Sequence, residues 1–331
     1  MQFFGILGLD DLSPALAGQL VGGLAVLVML TAATGGWLAR GSTAVPASWW
    51  AAAAAGVTAW EAFRQGTGTV SPTSAAAGRV VVAALFVCPI MSLLGAKRPQ
   101  HGVWQLIVGT LAVVLALPAA SATLIRPGSF PDLHILARFL LPLLVLVGWM
   151  NFIGTRRAVA VSLVTLGQFG LLWPLLPGVN LADAIPQPQV DLPAVVAITV
   201  GSLLALGQSL AAGRRRAAAA ADPRDQFVRQ VDGCLLPLRE TLGAAWTLRL
   251  AERFAVLAGQ RGWPVRLTFR GVVAGGDPTD QAWQRDASRA VEALFRRFVS
   301  VAWLQRHGWR TANPDPDVPA GGHLQREGSA I

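Results

Sequence analysis

Leu210-Ala211-Ala212-Gly213-Arg214-Arg215-Arg216-Ala217 divides the chain into two unlike parts. Before it lie long apolar runs with few charges. After it the chain is charged and reads as water-soluble. Residues 1–212 hold nine Lys/Arg and six Asp/Glu, whereas residues 213–331 hold eighteen and twelve. The whole chain of 331 residues is 53% hydrophobic and only 14% charged. A soluble globular protein carries about 25% charged residues. That deficit, with repeated apolar runs of about 20 residues, implies a polytopic membrane protein.

Outward from the junction, seven segments are expected to be helices. Pro14 opens the first, which runs to about Leu38 and carries the small-residue spacing Gly18-x-x-x-Gly22. Pro46 to Phe63 is the second, rich in alanine, which inserts weakly. Its Trp49, Trp50 and Trp60 read as anchors at the two membrane surfaces. Val80–Leu94, Val103–Leu124, Leu133–Ile153, Ala158–Leu176 and Pro193–Ala212 follow. Arg79 is placed to snorkel at the start of the third. Pro118 is expected to kink the fourth. Pro177–Leu192, with Asp183 and Asp191, reads as a Pro-rich loop.

Charge sets the threading. With Arg214–Arg216 in the cytoplasm, the inside loops hold Arg40, Lys97, Arg98, Arg156 and Arg157. The outside loops hold Arg64, Arg79 and Arg126. This is the positive-inside bias, with the N-terminus outside and the C-terminus inside. Were Pro46–Phe63 not to span, Arg40, Arg64 and Arg79 would share one outside loop, a poorer account. The first thirteen residues carry Asp10 and Asp11 and no Lys or Arg, so they lack the basic region of a signal peptide. One lysine and no tyrosine, amid much alanine, glycine and arginine, suggest a GC-rich genome. A bacterial inner membrane is the expected location.

The organisation is thus a leader (1–13), a helix bundle (14–212), a basic, alanine-rich linker (213–221), a cytoplasmic helical domain (222–310) and a disordered tail (311–331). The fold class is an all-α polytopic membrane protein of about seven spanning helices, with at most one or two short strands in the soluble part. In that part Asp222-Pro223 reads as a helix start. Pro237 should divide this helix from the next, which carries the stripe Leu242, Trp246, Leu250, Phe254 and Leu257. Val265, Leu267 and Phe269 alternate with polar residues as one strand. The last helix should bury Trp283, Ala287, Ala290, Leu294, Phe298 and Val301.

Chemistry is sparse. Ionisable groups in membrane spans are functional candidates. Glu61 and Arg64 lie three apart and can pair. Asp132, His134 and Arg138 cluster at the outer start of the fifth helix. Arg138 can bind a lipid phosphate, pair with Glu61 or snorkel outward. Gln105, Asn151 and Gln168 are suited to hydrogen bonding between helices. Cys88 and Cys234 belong to different phases and are not expected to pair, and neither has metal-ligand company. The seventh helix lacks a retinal lysine, and no helix interior holds histidines for a haem. No zinc-protease motif, nucleophile elbow or phosphate loop is present. No catalytic residue, cofactor or metal is assigned. Nucleic acid is not expected as a partner, since no basic run exceeds three. Arg214, Arg215 and Arg216 should touch anionic headgroups, and Arg249, Glu252 and Arg253 form a charged helix face.

The leading expectation is therefore a non-catalytic scaffold or accessory subunit of the membrane, with lipids and another membrane or cytoplasmic protein as partners. A small secondary transporter or lipid-handling permease is the alternative, from the proline-broken helices. A membrane-embedded lipid enzyme using Asp132, His134 and Arg138 is the third.

Overall fold

The computed structural model describes residues 12–97, 100–181, 188–218, 226–275 and 281–310. The leader through residue 11, Arg98, the Asp222-Pro223 helix start and the tail from residue 311 lie outside the described residues, as does part of the Pro-rich loop. Among the described residues, six helical segments are long and apolar enough to cross a membrane: Pro14–Leu38, Pro72–Leu94, Gly102–Ile125, Ile135–Phe152, Ala158–Leu175 and Pro188–Gly213.

Helix α1 (Pro14–Leu38) begins where expected. The Ser13 hydroxyl accepts from the Leu16 N–H, and Pro14 fills the first-turn position whose missing N–H costs nothing. Helix α2 (Val45–Gly66) runs back antiparallel along α1. Its alanines Ala52, Ala54, Ala55, Ala59 and Ala62 are buried, so the backbones approach closely. Gly18 lies against Gly66 and Ala62 at one end, and Gly36 against Ser48 at the other. A methyl at Gly18 would fall 2.6 Å from the Gly66 Cα and 2.7 Å from the Ala62 carbonyl oxygen. Backbone cannot step aside as a side chain can. Gly18→Ala is therefore expected to cost about 1–3 kcal/mol through overpacking, read from the unfolding midpoint in detergent. Gly23→Ala, in open space on the same helix, should leave that midpoint unmoved.

The third apolar segment starts earlier than its hydropathy suggests, because Ser71 caps and Pro72 opens α3 (Pro72–Phe86). Val87 interrupts it, and α4 (Cys88–Leu94) completes the segment. Helix α5 (His101–Ala120) keeps Pro118 within its last turn and continues as a π turn over Ser121–Ile125. Then come α6 (Ile135–Phe152), α7 (Ala158–Leu172) and α8 (Pro188–Ala218). Helix α8 corrects two expectations: the residues from Pro188, Asp191 included, are helical rather than loop, and the helix runs on through the backbone of Arg214–Arg216 into the expected linker. Pro193 lies inside it, the sixth residue of the helix, and supplies no N–H to the Gln189 carbonyl.

Beyond α8 come α9 (Gln226–Leu242), α10 (Ala244–Arg261), strands β1 (Val265–Thr268) and β2 (Gly271–Ala274), α11 (Gln281–Phe295) and α12 (Val301–Arg306). The strand found its partner in the next segment. Val265 pairs with Ala274 and Thr268 with Gly271, antiparallel. Two strands alone are marginal, and this pair packs on α9 and α10. Pro237 does not divide the helices. It lies inside α9, and the break falls at Gly243, whose φ of 83° and ψ of −171° belong to glycine alone. In α11 the buried row is Trp283, Ala287, Val291 and Phe295, with Ala290 and Leu294 half-buried beside it. The expected stripe is rotated by one residue in its second half. Ala44 and Ala96, from the bundle's loops, are buried in the same core as Phe254, Leu235 and Phe295.

Candidate functional site

Polar side chains gather at the two ends of the bundle. At the end away from α9–α12, the last turn of α2 brings Glu61 and Arg64 to one side. Arg64 Nη2 donates to Glu61 Oε2 at 2.5 Å. Its Nη1 donates to the Ser74 hydroxyl at 2.8 Å and its Nη2 to the Ser74 carbonyl at 3.2 Å. The pair foreseen in α2 thus exists and ties α2 to the first turn of α3. Gly78 makes room for it: a Cβ there would lie 2.2 Å from Glu61 Oε2.

One turn deeper, Arg79 is buried and paired with Asp191 in the first turn of α8. Its Nη1 also donates to the Leu171 carbonyl at the end of α7, at 3.3 Å. The expected snorkelling of Arg79 is therefore overturned. A partner of opposite charge and a free helix-end carbonyl inside the bundle replace water better than a detour to the surface. A cavity of about 20 Å³ lies between Thr58, Glu61, Gln65, Arg79 and Asp191, room for a single water. Two guanidinium groups and two carboxylates leave this group of four without net formal charge.

The cluster Asp132, His134 and Arg138 does not form a joint site. Asp132 and His134 are exposed. His134 Nδ1 accepts from the Leu136 N–H, so the ring caps α6. Arg138 donates to the Val179 carbonyl at 2.7 Å rather than meeting Glu61, whose carboxylate is held by Arg64. Gln105 bonds between segments as expected, accepting from Trp50 Nε1 at 3.0 Å and donating to Ser92 Oγ at 2.9 Å. Cys88 and Cys234 are both buried and form no disulfide. Among the described residues, no three His, Cys, Asp or Glu gather to hold a metal.

The other end carries the contacts that sequence reasoning missed. Asn151, expected between helices, reaches α9–α12 instead. Its Nδ2 donates to the Leu242 carbonyl and its Oδ1 accepts from the Ala245 N–H, both at 3.0 Å. It bridges the break at Gly243. Glu240 accepts from the Arg156 N–H at 3.1 Å and from Arg239 at 2.6 Å, while Arg239 Nη1 donates to the Phe269 carbonyl. Arg157 donates to the Ser209 hydroxyl of α8 at 2.7 Å. Burial pulls the Arg157 pKa below the usual guanidinium range, and the Glu240 carboxylate draws it back up. Trp246 Nε1 donates to the Leu93 carbonyl at 2.8 Å. Thr43 N–H donates to the Phe298 carbonyl, Ser300 N–H to the Gly41 carbonyl, and Ser42 pairs with Val299 as a β-bridge. The loop after α1, the end of α4 and the turn after α6 are each bonded to α9–α12.

The Arg249, Glu252 and Arg253 face of α10 is exposed, with Arg249 over the Trp246 ring at 5.1 Å. Comparison of the chain with protein-family models, with curated proteins and with solved structures gives no match.

Proposed function

We propose that this is a multi-pass protein of the bacterial inner membrane acting as a non-catalytic scaffold, with α9–α12 held rigidly at its cytoplasmic end. One observation carries the reading: three separate bundle segments hydrogen-bond to α9–α12, the loop after α1 through backbone groups and the other two through the side chains of Asn151, Glu240 and Trp246. A domain on a loose tether needs no such joints, whereas a scaffold gains a fixed presenting surface. That surface is the outward face of α10, where Leu248 and Val256 are 53% and 60% exposed beside Arg249, Glu252 and Arg253. The orientation proposed is N-terminus outside and C-terminus cytoplasmic. In its support, Arg40, Arg156 and Arg157 gather at the α9–α12 end.

Helix α2 is proposed as a seventh span. Its 22 residues match about 33 Å at helical rise, and it meets α1 at both ends. The alternative of a permease finds little support in the bundle, because the charged cavity admits about one water and its four ionised groups are paired. For the lipid-enzyme reading, His134 stands exposed with its Nδ1 accepting from the Leu136 N–H.

The test is copurification in mild detergent from cells expressing the tagged full chain. A stoichiometric partner is expected. It should be lost from the Leu248→Asp/Val256→Asp variant while membrane insertion and unfolding midpoint stay unchanged. Recovery of the protein alone, or equal partner yield from the variant, would sink the proposal.

A further inference from the structure

We infer that the junction between α1 and α12 is a binding site for anionic phospholipid headgroups, separate from Arg214–Arg216. The inference rests on the membrane reading and not on the scaffold proposal. Helix α1 ends in Trp37, which is 60% exposed at the last turn of an apolar span. A tryptophan in that position belongs at the headgroup level. The Arg40 guanidinium lies over its ring, 4.4 Å from the centroid. Arg306 of α12 donates to the Arg40 carbonyl, fixing a second guanidinium at the same depth. Arg296 and Arg297, both exposed, immediately precede Phe298, whose carbonyl accepts from the Thr43 N–H at 2.8 Å. Lys97 follows Ala96, whose carbonyl accepts from the Thr43 hydroxyl at 2.7 Å. Arg40 and Arg306 thus meet at this loop, and Lys97, Arg296 and Arg297 lie one or two residues along the chain from its hydrogen-bond partners.

The segments that carry them are poor in acidic residues. Residues 12–60, 62–131 and 293–310 contain no Asp or Glu. The nearest carboxylate along α11, Glu292, accepts from Trp309 Nε1 at 3.1 Å. The outward face of α10, by contrast, mixes its signs with Arg249, Glu252 and Arg253. Here the chain segments beside the interfacial tryptophan carry cations and no carboxylate. Guanidinium groups bind phosphate oxygens by paired N–H donors. A phosphodiester at headgroup depth meets that requirement, with its acyl chains along the exposed Leu27 and Leu30 of α1.

The test uses the full chain in detergent, with phosphatidylglycerol and phosphatidylcholine binding followed by native mass spectrometry. Phosphatidylglycerol is expected to be retained in clear preference. Arg296→Gln/Arg297→Gln removes two charges that make no docking bond and should weaken its binding about fivefold per arginine. Arg249→Gln/Arg253→Gln should not change it. Equal retention of both lipids, an unchanged Arg296→Gln/Arg297→Gln variant, or displacement by millimolar inorganic phosphate would overturn the inference. The last would mark a site for free phosphate instead.

Discussion

Replacing Asp191 by alanine is expected to lower the stability of the solubilised protein by about 3–5 kcal/mol. Arg79 is 6% exposed, and without Asp191 it keeps only the Leu171 carbonyl at 3.3 Å. A guanidinium left without its counter-charge in an apolar bundle is the costly case. Replacing both partners, as in Arg79→Met/Asp191→Leu, removes the stranded charge and fills its space. That double variant should recover most of the loss, because a buried pair and an apolar pair of like volume are often nearly equal in stability. Unfolding midpoints of the two single and the double variants measure this. A double variant as unstable as Asp191→Ala would show that the cost lies in packing and not in charge.

The second large effect is expected at Gly243. Its φ of 83° with ψ of −171° lies in a region open only to glycine. A Cβ there would also meet Asn151, 2.2 Å from Nδ2 and 2.7 Å from its backbone oxygen. Gly243→Ala therefore combines backbone strain of about 1–3 kcal/mol with loss of the Asn151 bridge. Hydrogen exchange should quicken both in α9 and in the loop after α1, since the joint between bundle and domain opens. Gly262→Ala is the control. Gly262 too has positive φ, at 66°, but nothing lies within 4 Å of its Cβ position. It should cost about 1–2 kcal/mol locally and leave the joint closed. Equal effects of the two variants would remove Asn151 from its bridging role.

Much of the bundle was legible because lipid imposes its demand residue by residue. Pro14–Leu38 was bounded by a cap, a proline and the end of an apolar run, all local signals. The start of α3 was missed because Ala75, Ala76 and Ala77 add little hydropathy, while the cap at Ser71 acts regardless. The Arg79–Asp191 pair was not legible. Its members lie 112 positions apart, and each had a plausible local account, one as a snorkelling cation and the other as a loop acid. The available signal was weaker: opposite charges near the same end of the bundle. In α11, apolar residues stand at both 290–291 and 294–295, so periodicity alone could not choose which pair faces inward. Packing against α9 and α10 chose Val291 and Phe295. At α9 the proline signal was read correctly as chemistry but wrongly as a stop. The turn went to the one residue nearby that tolerates positive φ.

The contact between Arg306 and the Arg40 carbonyl joins residues 266 positions apart. Ribosomes add roughly 5–20 residues each second. The loop after α1 therefore waits on the order of ten to fifty seconds, in the newborn chain, for the segment that will pair with it. All the apolar helices after α1 are made within that interval. Through it, the backbone of residues 41–43 faces water or a chaperone with its eventual partners not yet synthesised. Closure of this seam therefore waits until α12 has been made.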